Sequence, residues 1–326
     1  METLKASIFS VDAAGFESTV MEVFSFQYQH NRIYRSYTDA IGCKVSAISG
    51  LPDIPFLPIR FFKTHAVSST VFEPEVFFES SGTTETINSR HLVKEAGLYT
   101  RSFTKAFELF YGSAHDFCIL GLLPSYLERG NSSLVFMVDQ LIRNSGHPQS
   151  GFYLHDFASL ADTLQILEKS GQKTLLIGVT YALLDFAEQY PMPLHHTIVM
   201  ETGGMKGRRR ALIREEVHDR LKQHFQVPAV HSEYGMTELL SQAYSKGDGI
   251  FFTPPWMRTV LREEEDPLSV IGGPGRGVLN IVDLANLYSC SFIATDDLGI
   301  VHPGGAFEVL GRRDNSDIRG CSLLAL

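Results

Sequence analysis

Apolar positions recur in two rhythms along this chain. A period near 3.6 marks helices: Ala14 to Ala40 reads as an aromatic-rich helical stretch, and between His91 and Tyr111 the side chains of Tyr99, Phe103, Phe107 and Phe110 share one helical face. Asp156 to Glu168, Tyr181 to Gln189 and Arg208 to Phe225 read the same way, the last with Ile213, Val217, Leu221 and Phe225 on one stripe. Between them lie short apolar runs, Phe117 to Leu123, Thr174 to Val179, His196 to Met200 and Val227 to Ser232, of the length of buried strands. A further strand, near Pro74 to Phe78, follows the proline-punctuated loop Leu51 to Pro58. This alternation predicts an α/β core. The last third changes character, with short strands at Val278 to Val282, Ser291 to Ala294 and Phe307 to Leu310 joined by Gly-rich turns, so a small β-rich subdomain is expected to close against that core.

Composition narrows the picture. A chain of 326 residues, 44% of them hydrophobic, can bury the core of one large domain or two closely packed ones. No repeat or Pro/Ser-rich linker divides it, so one continuous domain is expected. The net charge of −9 argues against a broad nucleic-acid-binding face. The one basic run, Lys206 to Arg210, reads either as the solvated start of a helix or as a contact with substrate phosphates. Cys43, Cys118, Cys290 and Cys321 are too dispersed for a zinc site or a disulfide framework. No apolar run reaches the roughly 18 residues of a membrane span, and Met1 to Lys5 lacks a signal-peptide pattern, so a cytoplasmic protein is expected. Cys321 is sixth from the end, where a prenylation box needs the fourth position.

Five short motifs carry candidate chemistry: Ser80-Ser81-Gly82-Thr83-Thr84, Glu201-Thr202-Gly203-Gly204, Tyr234-Gly235-Met236-Thr237-Glu238, Thr295-Asp296-Asp297-Leu298-Gly299 and Gly311-Arg312-Arg313-Asp314. The first reads as a strand, a small-residue turn and then a helix, the order of a loop whose N–H groups and hydroxyls surround phosphate oxygens; it is also an ordinary Ser/Thr turn. In the third, Glu238 suits a hard divalent cation bridged to phosphates, and equally suits the first turn of a capped helix. His231 just before it reads as a contact to a substrate carboxylate or a general base, or as a residue of no chemical consequence. Trp256, Phe251 and Phe252 read as an acyl pocket or as core.

The order of the five motifs resembles that of the adenylate-forming enzymes, the superfamily of acyl-CoA synthetases, phenylacetate-CoA ligases and luciferases, and within it the LuxE-type acyl-protein synthetases. The resemblance covers about Phe72 to Leu326. It implies the superfamily's large N-terminal domain, with mixed sheets flanked by helices and a small β-rich subdomain. Three divisions are expected: an N-terminal helical segment 1–70 packed on the core, an α/β nucleotide- and acyl-binding core 71–270, and a β-rich closing subdomain 271–326 with a C-terminal Cys segment. It also implies ATP and Mg²⁺ as cofactors. Ser80, Ser81, Gly82, Thr83 and Thr84 would cradle phosphates, with Lys206 beside them. Gly203 and Gly204 would pass close to adenine, Tyr234 and Gly235 would meet its face, and Thr237 would contact the α-phosphate. Glu238 would hold Mg²⁺, Asp297 the ribose hydroxyls, and Arg312 the ribose or phosphate side. In most of the superfamily the Gly-Arg-x-Asp motif leads into a swinging domain bearing a catalytic Lys; here the sequence ends fifteen residues after Gly311, so that domain is expected to be absent. Arg319-Gly320-Cys321-Ser322-Leu323 resembles instead the LuxE-type segment whose Cys receives the acyl group, as a nucleophilic thiol would, although a free Cys is also commonly a small buried residue. By resemblance the substrate is a fatty acid and the acceptor a LuxC-type reductase or another thiol. Transfer to free CoA or a carrier protein, and a non-catalytic nucleotide- or acyl-binding role, are the alternatives.

Overall fold

The computed structural model describes residues 2–80, 87–123, 131–154, 156–203 and 212–313. They fall into two compact units, one of Phe72–Pro254 and one of Met1–Val71 with Pro255–Leu326.

The first unit is built on a sheet with strand order Gly151–Phe152, Cys118–Leu122, Thr174–Gly178, Thr197–Glu201, His231–Tyr234 and Ala243–Ser245. Every pairing is parallel except the last. Cys118–Leu122 and Thr174–Gly178 are buried at every position, which is why they read as unbroken apolar runs. Helices Ala96–Tyr111, Ser133–Ser145, Phe157–Ser170, Thr180–Gln189 and Arg214–Phe225 belong to the same unit. Their ends carry local signals: Ser132 and Asp156 cap N-termini through side-chain oxygens, and Gly146 and Gly171 stop helices in the left-handed region.

The structure departs from the periodicity at four places. The helix expected from His91 begins only at Ala96, because Arg90–Val93 is a strand paired antiparallel with Val76–Glu79. Its side chains alternate, Arg90 exposed, His91 and Val93 buried, a period of two that the longer helical pattern hid. The Ser80 turn therefore joins two hairpin strands and not a strand to a helix. The run Val227 to Ser232 pairs only from His231, since Pro228 lacks the N–H a ladder needs. Ile213 caps the helix Arg214–Phe225 and is 63% exposed, off the buried stripe. The helix expected across Ala14 to Ala40 breaks at Asn31, whose side-chain oxygen accepts from the Tyr34 N–H (2.9 Å) and starts Arg32–Ala40 anew after Phe16–His30.

The second unit holds an antiparallel sheet in the order Phe307–Arg312, Phe292–Val301, Gly275–Asp283, Met257–Arg262 and Val270–Ile271, with Leu57–Pro58 added parallel to Phe292–Val301. Two strands outrun their expected lengths, Gly275–Asp283 at nine residues and Phe292–Val301 at ten, so Thr295 to Gly299 lies within a strand and not in a turn. The N-terminal helices belong to this unit through buried polar anchors. Gln27 donates to the carbonyls of Asn286 and Leu287 (both 3.0 Å) and accepts from the Ser291 N–H (2.9 Å). Around it Phe24, Tyr34 and Phe56 pack on Phe292. Gln27→Leu keeps the volume but strips three buried backbone groups of a partner. It is expected to cost about 2 kcal/mol, read as a lower urea midpoint at unchanged m-value.

Candidate functional site

Two of the candidate motifs leave adjacent parallel strands at their carboxyl ends. Met200 and Glu201 pair with His231 and Ser232, so the turn at Thr202-Gly203 and the segment Tyr234-Gly235-Met236-Thr237-Glu238 emerge side by side. In open α/β sheets that edge is where ligands bind. The Gly203 turn is tied to the next strand over: the Thr202 N–H donates to the Gly178 carbonyl (3.1 Å), and the Thr180 N–H to the Gly203 carbonyl (2.9 Å). Gly203 has φ +75°, a conformation that any Cβ would strain. Gly235 is exposed, and a Cβ there would collide with the Glu233 carboxyl.

The hairpin that carries the first motif reaches the same segment. Ser80 closes its base, donating its N–H to the Ser89 carbonyl (3.1 Å) and accepting from the Ser89 N–H through its hydroxyl (2.9 Å). On the returning strand the buried His91 places Nδ1 2.8 Å from the Thr237 carbonyl. Residues 154 apart in the motif order, Ser80 and Tyr234, thus stand on segments linked by one hydrogen bond between His91 and Thr237. Ser81, Gly82, Thr83, Thr84, Gly204, Lys206 and Cys321 lie outside the described residues. Glu238 is 5% exposed and Tyr234 9%, the latter edge-on to Phe251 at 5.9 Å. Among the described residues no three His, Cys, Asp or Glu side chains gather as a metal cage. A single carboxylate fits Mg²⁺ in particular, which keeps waters and takes most of its oxygens from phosphates.

Behind these turns sits a set of titratable side chains. Glu201 accepts from the Gly203 N–H (2.7 Å) and the Thr180 hydroxyl (3.0 Å), with His218 Nε2 at 3.7 Å and Arg214 Nε at 3.9 Å. Burial alone would push its carboxyl up, but the contacts with His218, Ser232 and the Gly203 N–H, with the charge of Arg214, hold it down at about 2. Glu233, on the neighbouring strand, goes the other way: burial, and then the charge of Glu201, push its carboxyl up to about 8. His231 is half-buried with Nδ1 3.2 Å from the Tyr111 hydroxyl. Burial, then the charges of Lys246 and His218, lower it to about 4, so its ring is neutral at pH 7 and less basic than an ordinary imidazole.

In the second unit Asp297 and Arg312 face each other across antiparallel strands, with Arg312 Nε 3.7 Å from the Asp297 carboxylate. Asp296 pairs with Arg60 instead, at 3.4 Å. Trp256 is buried against Phe9, edge-on at 5.1 Å, and Phe251 is buried while Phe252 is half exposed.

Sequence reasoning gave no role to His91, His218, Arg214 or Glu233. Two signals were available: polar Ser232 and Glu233 interrupt an apolar run, and His218 shares the helical stripe of Leu221 and Phe225.

A protein-family model described as acyl-protein synthetase, LuxE, matches residues 10–325. The long-chain-fatty-acid–luciferin-component ligase of Aliivibrio fischeri is 22% identical over 333 residues, covering 94% of this chain and 86% of that protein. The protein of the same name from Vibrio harveyi is 23% identical over 329 residues, covering 93% and 85%. Among solved structures, ATP-bound MatB from Rhodopseudomonas palustris matches with a TM-score of 0.56 at 15% identity, over 75% of this chain and 50% of MatB, so the chain spans about half the length of that protein. That likeness is one of fold, the α/β large domain of adenylate-forming enzymes. By the family match the chain belongs to the acyl-protein synthetases of the LuxE family.

Proposed function

We propose that this protein activates a long-chain fatty acid with ATP and Mg²⁺ and takes the acyl group onto its own Cys321 as a thioester. The observation that carries the reading is the pair of glycine turns at the carboxyl edge of adjacent parallel strands, joined through the His91–Thr237 hydrogen bond to the hairpin of the Ser80 loop. The family of the chain supports the chemistry, and the names of its relatives support the acid.

In the first step a carboxylate oxygen bonds to the α-phosphorus of ATP, the bond from that phosphorus to the bridging oxygen breaks, and pyrophosphate leaves. In the second the Cys321 thiol gives its proton to a base, the role assigned to His231, its sulfur bonds to the acyl carbon, and AMP departs with the C–O bonding pair. Negative charge gathers around the α-phosphate, so donors count there: the N–H groups and hydroxyls of Ser80 to Thr84, the Thr237 hydroxyl and Lys206. Glu238 would hold Mg²⁺, whose contribution is to neutralise phosphate charge. Gly203, Gly204, Tyr234 and Gly235 serve the adenine, Asp297 the ribose hydroxyls, and Arg312 the ribose or phosphate side. A thioester on Cys321 keeps the acyl group activated for a LuxC-type reductase or another acceptor. A cytoplasmic setting suits a free catalytic thiol, and among the described residues no helix is long and apolar enough to cross a membrane.

The test is pyrophosphate release from ATP and Mg²⁺ with a panel of fatty acids, followed by intact mass under non-reducing conditions. Acid-dependent release with an acyl-sized mass gain is expected in the wild type, and Cys321→Ser should keep the release while losing the adduct. Release without any adduct in the wild type would move the acceptor to an external thiol. No release with any acid would sink the reading.

A further inference from the structure

The strand that holds Asp297 is bulged at that residue. Val278 pairs with Leu298 and Asn280 with Ala294, so Thr295, Asp296 and Asp297 stand opposite Leu279 alone. Residues inserted in this way leave the ladder, bend the strand and re-aim their side chains, and their backbone groups need partners elsewhere. The Thr295 hydroxyl serves one of them, accepting from the Asp297 N–H (3.1 Å), and donates across to the Leu279 carbonyl (2.7 Å). The Thr295 carbonyl is taken by Arg262 Nη2 at 2.6 Å, and the Asp296 carbonyl by the Arg313 N–H at 2.8 Å.

Arg262 comes from Met257–Arg262, on the far side of Gly275–Asp283 from the bulge. Only 6% exposed, it reaches past that strand, donating from Nη1 to Asn280 Oδ1 (3.3 Å) on the way to Thr295. Its Nε has no partner among the described residues. A buried guanidinium with an unpartnered N–H costs stability that an apolar side chain would not. Its two made hydrogen bonds both go to the bulge or to the residue beside it.

We infer that Arg262 is a positioning residue: through the Thr295 carbonyl, and with the Thr295 hydroxyl, it fixes the bulge that presents the Asp297 carboxylate to the ribose hydroxyls of ATP. This rests on the proposed role of Asp297. Arg262 itself touches no substrate, and its effect is confined to the part of the ligand that Asp297 contacts. The nucleotide's hydroxyls therefore separate positioning from general support of the fold.

The experiment is calorimetric titration of the full chain with ATP and with 2′,3′-dideoxy-ATP, for the wild type, Asp297→Ala, Arg262→Met and Thr295→Val. The wild type should prefer ATP. Arg262→Met and Thr295→Val should each weaken ATP binding about tenfold, the size of a charge-assisted hydrogen bond, and dideoxy-ATP binding less than about twofold. Arg262→Lys, which can still reach one carbonyl, should recover part of the preference. Thr295→Val removes only a hydroxyl, so it holds the inference open to test if Arg262→Met does not fold. Equal losses on both nucleotides would make Arg262 a structural residue and overturn the inference. So would a preference that Asp297→Ala abolishes while Arg262→Met and Thr295→Val leave it whole; in that case the ribose role of Asp297 stands. A wild type that binds both nucleotides alike overturns the ribose role and the inference with it.

Discussion

Glu201→Leu is expected to destabilise the unit Phe72–Pro254 by about 3–5 kcal/mol, because removing a buried carboxylate strips the groups packed on it of their shared acceptor. Arg214 and His218 would lose their carboxylate, and the Gly203 N–H and Thr180 hydroxyl their acceptor. The same carboxylate makes stability depend on acid. Its folded value of about 2 lies below the ordinary 4.5, so its stabilisation is whole above pH 4.5 and is lost as pH falls toward 2. Urea unfolding of wild type and Glu201→Gln should therefore differ most at neutral pH and converge near pH 2. A gap that persists unchanged at that pH would mean the carboxylate is not the ionised partner. Since Glu201 also holds the Gly203 turn, Glu201→Gln should raise the KM for ATP more than it lowers kcat.

Legibility followed the range of the interactions. The α/β core could be read because its strands are buried on both faces and its helices carry stripes, both properties of local sequence. Arg90–Val93 was lost because four residues of alternation abut a sixteen-residue helix, and the longer rhythm dominates any window. That error mattered for the site, since it hid the hairpin and with it His91, whose partner Thr237 is 146 positions away. The glycine turns were legible as motifs, yet what holds them was not. Glu201 was visible only as the first letter of a Gly-rich segment, while its partners come from two other stretches, Thr180 from one helix and Arg214 with His218 from another. The bulge at Asp297 was likewise invisible, because a bulge is a relation between two strands and Leu279 alone does not announce it.

Glu233→Gln is expected to become more stable than the wild type as pH rises, the opposite sense to Glu201. Glu233 lies beside Glu201's strand, where burial, and then the charge of Glu201, push its carboxyl up to about 8. Between pH 4.5 and 8 the folded chain holds that proton while the unfolded chain has released it. The neutral carboxyl's contribution is thus complete below 4.5 and is lost progressively as pH climbs through 8. Glutamine imitates the protonated form at every pH and carries no linked proton. The stability difference between Glu233→Gln and wild type should therefore grow by about 3–5 kcal/mol between pH 5 and pH 9, measured by urea unfolding at each pH. A difference that stays flat would mean Glu233 is ionised throughout. Two carboxylates on neighbouring strands cannot both ionise cheaply in a dry setting, and here the hydrogen bonds decide which one does. Glu201 has the Gly203 N–H, the Thr180 hydroxyl, the His218 ring and the Arg214 guanidinium around it, so it keeps the charge and clamps the turn. Glu233 is left neutral against Gly235, where the missing Cβ gives its carboxyl room, so it brings no negative charge to that turn.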